Sequence, residues 1–511
     1  MLAKVKTLGL TGIEGFNLLV EADLNNGLPK FDIVGLPDTA IKESKERIRS
    51  AIKNSCFKFP MLKVTVNLAP ADTKKEGPIY DLPIAIALMI CTGEIVNPHI
   101  SEYTFIGELG LDGTTRRANG VLPLMISARA LGHKKIFIPA ENSMEASFID
   151  GIDVYPVKNL TEIVHHLNGT SIIAPITKQN FFDLQTNMVD KNDFCYVKGQ
   201  TGAKRAMEIA AAGGHNLMMI GPPGAGKTML ARCMPTILPA MTFEESLEVT
   251  KIHSIAGILD PQEGIVWRRP FRSPHHTTTA ITLTGGGAKS KPGEISMAHN
   301  GVLFLDELPE YNRKTLETLR QPLEDGVITV ARVNSTVEYP AQFMLLTSMN
   351  PCPCGNYGSK TKECRCSPSQ IHKYLEKLSG PLMDRIDLHI EVDGVSFEQL
   401  RETDALEEKS EDIRKRVNEA RKVQLKRFEG TTTNCNAKMT SNQVNKYCAL
   451  SDECEKLIKD AFEKLNLSAR AYNRILKVAR TIADLDFSEN IELQHIAEAI
   501  GYRSLDKKYW M

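Results

Sequence analysis

Three things are missing from this sequence: an excess of charge of either sign, a long apolar run and a cysteine framework. The 62 Lys and Arg residues balance 62 Asp and Glu residues, which excludes a uniformly polybasic or polyacidic chain but not local patches. The most apolar run, residues 82–91, is shorter than the about 18–20 apolar residues that cross a bilayer. The N-terminus lacks an apolar segment with a small-residue cleavage site. We therefore expect a cytoplasmic protein with no membrane partner.

Cysteine is also too sparse for a disulfide scaffold. The chain has 11 cysteines in 511 residues, and the cytosol would keep them reduced. What is present is the composition of a globular protein, with 42% apolar and 24% charged residues. A chain of this length is expected to form two to four domains.

The patterning predicts an α/β protein with four regions. Residues 1–173 alternate short apolar runs, such as 63–68, with helical stretches, which is typical of one mixed domain. Residues 174–195 are polar and without period, as expected of a linker. In residues 196–393 the apolar runs 216–220, 301–305 and 342–347 are each followed by a turn or a polar motif, which predicts parallel strands in an open sheet. Helical patterns dominate residues 394–511 and predict a helical lid.

A glycine-rich motif directly follows the apolar run 217–220. It reads GPPGAGKT and consists of Gly221, Pro222, Pro223, Gly224, Ala225, Gly226, Lys227 and Thr228. This is a complete G-x-x-x-x-G-K-[ST] motif between a strand and a helix, a context that leaves little support for a chance glycine turn. The glycines let backbone N–H groups surround phosphates. Lys227 is then expected to contact the β- and γ-phosphates of ATP, and the Thr228 hydroxyl to ligate Mg²⁺.

Polar side chains follow two further strands. The run Gly301–Glu307, GVLFLDE, ends in two carboxylates, at the strand end where open α/β sheets bind ligands. Asp306 is expected to hold Mg²⁺ through water, and Glu307 to polarise the attacking water. The next strand ends at Asn350, which could orient that water or simply form a turn before Pro351. The three strand ends together predict a nucleoside triphosphatase.

Two arginines are candidates for contacts with the γ-phosphate. Arg385, in the segment SGPLMDRID, is a candidate arginine finger that a neighbouring subunit would receive. Arg470, in SARAYNRILKVAR, is a candidate sensor on the helical lid. A finger supplied in trans would require a ring of subunits.

Several long segments carry a resemblance to a known family. They are GQTGAKRAMEIAAAGGHNLMMIGPPGAGKT, FRSPHHT, GGGAKSKPGEISMAHNGVLFLDELPE, NPCPCG and the two arginine segments. Together they resemble the YifB/ComM family of Mg-chelatase-like AAA+ ATPases. The resemblance implies a homo-hexameric branch-migration helicase of homologous recombination and natural transformation, with branched or single-stranded DNA and recombination proteins as partners.

A basic stretch lies between the glycine-rich motif and Asp306. No carboxylate occurs between Glu263 and Glu294. Clusters of Lys and Arg side chains without nearby carboxylates bind the phosphate backbones of nucleic acids. The resemblance implies that a hairpin inserted here projects toward the pore of the ring. The candidate DNA contacts of the stretch are Arg268, Arg269, Arg272, Lys289 and Lys291.

A second candidate hairpin is Val327–Tyr339, which immediately precedes the strand that ends at Asn350. Arg332 and Asn334, near its tip, are further candidate DNA contacts. The alternative is an exposed hairpin that binds no ligand.

Four cysteines fall within fifteen residues, as two C-x-C pairs separated by nine residues. Four thiolates can close a tetrahedral structural Zn²⁺ site, although C-x₂-C spacing is commoner. Unconnected thiols are the alternative. The candidate zinc ligands are Cys352, Cys354, Cys364 and Cys366.

The segments KKEGPIYDLPIAIALM and IGELGLDGTTRR in residues 1–173 resemble the Lon-protease domain. In that domain a G-P-S segment carries the nucleophile, but Ile79 stands at this position here. A hydrocarbon side chain cannot attack a carbonyl group, so we expect a scaffold rather than a peptidase.

The leading hypothesis is thus an ATP-driven hexameric DNA motor. A chelatase-like remodelling subunit, which would use ATP to insert metal into a tetrapyrrole through partner proteins, is the alternative. Stimulation of ATP hydrolysis by branched DNA would distinguish the two. A third reading, an ATP-dependent protease, is opposed by Ile79.

Overall fold

The computed structural model describes residues 1–185, 192–287, 291–331, 336–358, 362–394, 407–465, 467–505 and 509. These residues form two compact units. Unit 1 consists of Met1–Asn187 and Phe243–Trp267, and unit 2 of Met188–Thr242 and Arg268–Met511. Residues 243–267 follow the glycine-rich motif in the chain but pack with unit 1.

Unit 1 is built on a seven-stranded sheet with the order β3-β4-β2-β1-β5-β8-β9. Strands β1, β2 and β4 pair antiparallel, and the other neighbours pair parallel. The sheet strands are β1 Leu2–Thr11, β2 Glu14–Asn25, β3 Lys30–Val34, β4 Lys63–Ala69, β5 Tyr103–Phe105, β8 Lys135–Pro139 and β9 Asp153–Val157, with a small pair β6 Glu108–Leu109 and β7 Thr115–Arg116. The helices are α1 Thr39–Asn54, α2 Asp81–Cys91, α3 Val121–Ala130, α4 Ser143–Ser147, α5 Leu160–Leu167, α6 Phe181–Gln185 and α9 Phe243–Ala256.

The helices of unit 1 follow from simple sequence features. In α1 the apolar residues Ile41, Ile48 and Ile52 recur at helical spacing and are buried, and Asp38 caps the first turn by accepting from the Ile41 N–H. Helix α2 is apolar on all sides and is buried along almost its whole length. Helix α9 is held to α3 where the Gly120 N–H donates to the Ser254 hydroxyl at 3.1 Å.

Unit 2 contains a five-stranded parallel sheet with the order β11-β14-β17-β10-β18. Its strands are β10 Leu217–Ile220, β11 Phe271–Arg272, β14 Val302–Leu305, β17 Met344–Met349 and β18 Leu388–Glu391. Strand β17 separates β10 from β14, so the carboxyl ends of these three strands meet at one edge. Strands β10, β14 and β17 are buried along their whole length, which explains their uninterrupted apolar sequences.

Unit 2 also contains two hairpins, each a separate two-stranded sheet. They are formed by β12 Gly285–Gly286 with β13 Lys291–Pro292, and by β15 Val327–Ala331 with β16 Thr336–Pro340. The helices of the sheet region are α7 Thr201–Gly213, α8 Lys227–Ile237, α10 Ala280–Thr284, α11 Glu294–Met297, α12 Arg313–Glu317, α13 Arg320–Asp325, α14 Pro368–Leu375 and α15 Gly380–Met383.

The C-terminal part of unit 2 is helical. It contains α16 Ser410–Arg427, α17 Ser441–Tyr447, α18 Asp452–Lys464, α19 Ala469–Leu485 and α20 Leu493–Gly501. Helices α16 and α19 both pack on α7, and α16 also packs on α8. The basic side chains of α16 are largely engaged within the chain: Arg416 with Glu208, and Arg427 with Asp484.

The fold class predicted from the sequence is confirmed: a mixed α/β N-terminal region, a core with a parallel sheet and a C-terminal helical region. The predicted strand at residues 342–347 begins two residues later, at Met344. No helix in the described ranges has the length and apolar character needed to cross a membrane.

Candidate functional site

The glycine-rich loop lies between the end of β10 and the start of α8. Gly224 and Gly226 have φ of 79° and 86°, in the left-handed region that glycine adopts without strain. Gly221 has no room for a side chain, since a Cβ there would lie 2.2 Å from the carbonyl oxygen of Val392. The loop therefore leads into the N-terminus of α8, whose free N–H groups and dipole favour an anion.

Lys227, the first residue of α8, is buried at the mouth of this loop. Its Nζ donates to the carbonyl oxygens of Gly221 at 2.6 Å and Pro222 at 2.9 Å, and to Oδ1 of Asn350 at 3.2 Å. Burial lowers the pKa of Lys227, and the charges of Asp306 and Glu307 oppose this shift. An anionic phosphate in the loop would provide the counter-charge that these neutral acceptors lack.

Thr228 and Asp306 meet at the ends of α8 and β14. The Thr228 hydroxyl donates to Oδ2 of Asp306 at 2.8 Å, and the Ser348 hydroxyl of β17 donates to Oδ1 of the same carboxylate. Hydroxyl and carboxylate oxygens are the ligand types that Mg²⁺ prefers. The donor set therefore fits Mg²⁺ held by Thr228 and Asp306. Ser348 was not identified from the sequence, because a serine inside an apolar strand carries no motif.

Glu307 begins the turn after β14 with φ of 53°. Its side chain is about half exposed, and its Oε2 lies 3.5 Å from Nδ1 of His276. His276 follows the edge strand β11, and its ring lies beside those of His275 and Tyr311. His276 belongs to FRSPHHT, one of the segments that carry the family resemblance, and the sequence alone gave it no role. The structure places His276 beside the Glu307 carboxylate.

The two candidate arginines occupy different environments. Arg385 is buried, and its guanidinium donates to the carbonyl oxygen of Pro381 at 2.5 Å and to Glu324. Arg470 is exposed in the first turn of α19. Among the described residues, neither arginine forms a hydrogen bond with the glycine-rich loop of its own chain. Their roles remain predictions.

The candidate DNA contacts also differ in their environments. The Arg269 guanidinium donates to the carbonyl oxygens of Pro239 at 2.5 Å and Asn300 at 2.7 Å, and Arg272 forms a bidentate ion pair with Glu294 at 2.7 and 2.8 Å. These two arginines therefore stabilise unit 2 through contacts that do not depend on DNA. Arg268 and Lys291 are exposed. Lys289, Arg332 and Asn334 lie outside the described residues.

Two aromatic side chains of the basic stretch pack within the protein. Trp267 is buried, and the ring of Phe271 lies 5.9 Å from that of Phe304, nearly parallel to it.

The four cysteines of the C-x-C pairs converge, and we call them the cysteine cluster. Their sulfur atoms all lie within 4.8 Å of one another, and three of the pairs are 3.4, 3.7 and 3.6 Å apart. A tetrahedral site with metal–sulfur bonds of about 2.3 Å has sulfur–sulfur edges of about 3.8 Å, so the spacing fits Zn²⁺. The cluster also adjoins the glycine-rich loop, because a Cβ at Gly355 would lie 2.4 Å from Cδ of Pro223.

In unit 1, Ile79 lies in a single helical turn, Pro78–Tyr80, and is buried. Its carbonyl oxygen accepts from the Gly107 N–H at 3.0 Å. Two residues later, the buried Asp81 pairs with Arg47 at 2.8 Å. Burial raises the pKa of Asp81 to about 6, against the effect of Arg47. The position at which the Lon-protease domain carries its nucleophile is therefore occupied here by the buried hydrocarbon side chain of Ile79.

Three family models match: "Magnesium chelatase, subunit ChlI" over residues 193–400, "Subunit ChlI of Mg-chelatase" over 20–142 and "Magnesium chelatase, subunit ChlI C-terminal" over 407–503. The chain is 42% identical over 507 residues to "Competence protein ComM" of Haemophilus influenzae, covering 99% of this chain and 98% of that protein. It is 41% identical over 507 residues to "Uncharacterized protein YifB" of Escherichia coli, with the same coverage.

A shorter match concerns a protease. The chain is 28% identical over 188 residues to "Lon protease" of Acinetobacter baumannii, which covers 34% of this chain and 23% of that protein.

Proposed function

The chain belongs to the YifB/ComM family of Mg-chelatase-like AAA+ proteins, and on that basis we propose that it is an ATP-hydrolysing motor that acts on DNA. The observation that carries the ATPase part is the meeting of three strand ends in unit 2. There Lys227 contacts Asn350, and Thr228 contacts Asp306. A glycine-rich loop with its lysine and hydroxyl, next to a carboxylate, is the set of groups that binds a nucleoside triphosphate with its metal.

In the proposed reaction the loop residues bind and the strand-end residues orient. Lys227 transfers its hydrogen bonds from backbone carbonyls to the β- and γ-phosphate oxygens of ATP. Thr228 and Asp306 would hold Mg²⁺, which would neutralise charge on the same phosphates when bound. Glu307 accepts a proton from the attacking water, and Asn350 orients that water from the end of the neighbouring strand β17.

The proposed motor is a homo-hexamer. Arg385, as a finger, would act on the ATP of a neighbouring subunit, and Arg470 on the ATP of its own. The buried position of Arg385 in this single chain requires that its guanidinium leave Glu324 before it can reach a neighbour.

DNA is the proposed substrate of the motor, with branch migration as the mechanical outcome. The support is the relationship to a protein named for competence, together with the acid-free stretch from Gly264 to Gly293. Within that stretch Arg268 and Lys291 are the residues to test, because their side chains are exposed to solvent.

The test is ATP hydrolysis with and without a four-way DNA junction. We expect stimulation by the junction, displacement of a labelled strand, and loss of both in Lys227→Ala. Charge reversal of Arg268 and Lys291 should weaken DNA binding and leave basal hydrolysis unchanged. Hydrolysis without any response to DNA would reject the DNA motor and support the chelatase-like alternative, which the three ChlI family models favour.

We also propose that the cysteine cluster holds one structural Zn²⁺. The support is four sulfur atoms at tetrahedral spacing on a loop that packs against Pro223. A closed four-thiolate site leaves no open position, so its role would be to fix the loop rather than to catalyse. Elemental analysis of the purified protein should give one zinc per chain; a value near zero in protein purified without chelator would reject the site.

A further inference from the structure

The segment Gly213–Asn216 connects the end of α7 to strand β10, which leads into the glycine-rich loop. Its last residue, Asn216, joins two other parts of unit 2 through its side chain. The Asn216 Nδ2 donates to the carbonyl oxygen of Arg385 at 2.8 Å, and its Oδ1 accepts from the Leu345 N–H of β17 at 2.8 Å. Its backbone N–H donates to Oδ2 of Asp387 at 3.0 Å, and its carbonyl accepts from the Asp387 N–H. Asn216 therefore clamps the loop that carries Arg385.

Asp387 connects the same loop to the helical region. Its Oδ1 is 2.9 Å from Nη1 of Arg474 on α19, and its Oδ2 is 3.5 Å from Nδ1 of the buried His215. Although burial opposes ionisation, Arg474 and His215 hold the pKa of Asp387 well below its usual range. The carboxylate is thus charged and forms an ion pair with Arg474.

Helix α19 carries both Arg470 and Arg474. Residues four apart lie on the same face of a helix, one turn from each other. The candidate sensor and the residue that holds Asp387 therefore move together when α19 moves. Arg385 lies only two residues before Asp387, so a displacement of α19 acts on the Arg385 loop through one ion pair.

We propose that Asn216 and the Asp387–Arg474 ion pair are positioning residues that couple the helix α19 of one subunit to its Arg385, which acts on the ATP of the next subunit. This inference rests on the proposed function, in which Arg385 is a finger supplied in trans. Misplacement of a catalytic group by about 1 Å can cost about 100-fold in rate. We expect Arg474→Gln to lower kcat by about tenfold and to change the KM for ATP less than twofold, because a finger acts on the transition state.

Two further variants make the measurement specific. Arg474→Lys keeps the charge and should restore at least a third of the wild-type kcat. Arg205→Gln is the matched control, since Arg205 also ties α7 to the C-terminal helix α20, through Glu498 at 3.1 Å, but contacts no part of the Arg385 loop among its hydrogen bonds. Its kcat should stay near that of the wild type. Thermal unfolding of each variant shows whether the fold is retained.

Mixed assemblies provide a readout that a purely structural role would not move. A Lys227→Ala subunit does not hydrolyse ATP but keeps an intact Arg385, and an Arg474→Gln subunit has an intact ATP site but a misplaced Arg385. If Arg474 acts through the finger, mixing the two should give more activity than the sum of the separate proteins. If Arg474→Gln instead damages the ATP site of its own subunit, the mixture will give no more activity than the sum. That result, or a loss of kcat in Arg205→Gln as large as in Arg474→Gln, overturns the inference.

The parallel mixture of Arg385→Ala with Lys227→Ala tests the premise. If this mixture fails to complement, the trans finger of the proposed function is wrong. If it complements and the Arg474→Gln mixture does not, only the positioning role is wrong.

Discussion

The hydrogen bond from Ser348 to Asp306 leads to a sharp test of the metal site. Ser348→Ala removes one donor from the carboxylate while Thr228 still donates at 2.8 Å and the Glu307 N–H at 3.0 Å. A hydrogen bond to a charged group contributes about 1.5–3 kcal/mol, and we take the lower end because Asp306 keeps these two donors. About 1.5 kcal/mol corresponds to about a tenfold change in an equilibrium constant. We therefore expect about a tenfold rise in the Mg²⁺ concentration that gives half-maximal ATP hydrolysis.

The assay is ATP hydrolysis titrated with Mg²⁺ at saturating ATP, and strand β17 itself supplies the control. The adjacent Thr347 is fully buried, and its hydroxyl has no hydrogen-bond partner within the described part of the chain. Thr347→Val removes a hydroxyl of the same strand at nearly constant shape, and it should leave the Mg²⁺ midpoint unchanged and the stability unchanged or higher. An unchanged midpoint in Ser348→Ala, or an equal shift in Thr347→Val, would refute a role of Ser348 in orienting the metal-binding carboxylate.

Three further predictions concern other parts of the chain. Removal by a chelator of the zinc that we propose for the cysteine cluster should raise the KM for ATP, because the loop containing Gly355 packs on the glycine-rich loop; an unchanged KM in zinc-free protein would contradict this coupling. Lys291→Glu should weaken DNA binding without loss of stability, whereas Arg272→Glu should lower the free energy of unfolding by about 1.5–3 kcal/mol through its lost ion pair, as denaturant titration can show. Burial raises the pKa of Asp81 to about 6, above the value of about 3.9 in an unfolded chain. Between these two values the folded state retains a proton that the unfolded state releases. The free energy of unfolding therefore falls as the pH rises from about 4 to 6. Asp81→Asn should remove that part of the pH dependence; an unaltered slope would mean that Asp81 titrates normally.

Much of the ATP site could be read from the sequence because its parts are contiguous. The loop Gly221–Thr228 needs its glycines and its lysine in one short segment, and a carboxylate directly after a buried strand lies at the ligand-binding edge of a parallel sheet. The predicted strands at 216–220 and 301–305 therefore agree with β10 and β14 to within one residue. The hairpin predicted at Val327–Tyr339 is confirmed for its two described strands.

The basic stretch shows where such reading is insufficient. From composition alone, all its arginines are equivalent candidates for DNA. In the structure Arg272 pairs with Glu294, the first carboxylate after the stretch, while Lys291 faces solvent. A sequence pattern gives the charge of a segment but not the partner that each charge meets after folding.

The sequence by itself determined the family resemblance, the nucleotide-binding motif, the replacement of a nucleophile by Ile79 and the local charge of a neutral chain, because each of these depends on residue identity and short-range order. Only the tertiary structure decided that Ser348 supports Asp306, that residues 243–267 pack with unit 1, and that Asn216 and Arg474 hold the loop of Arg385. These contacts join residues 42 and 87 positions apart for Ser348–Asp306 and Asp387–Arg474. Over such separations the pairing is set by which strands become neighbours in the sheet and which helices pack on it, and no local pattern encodes that choice.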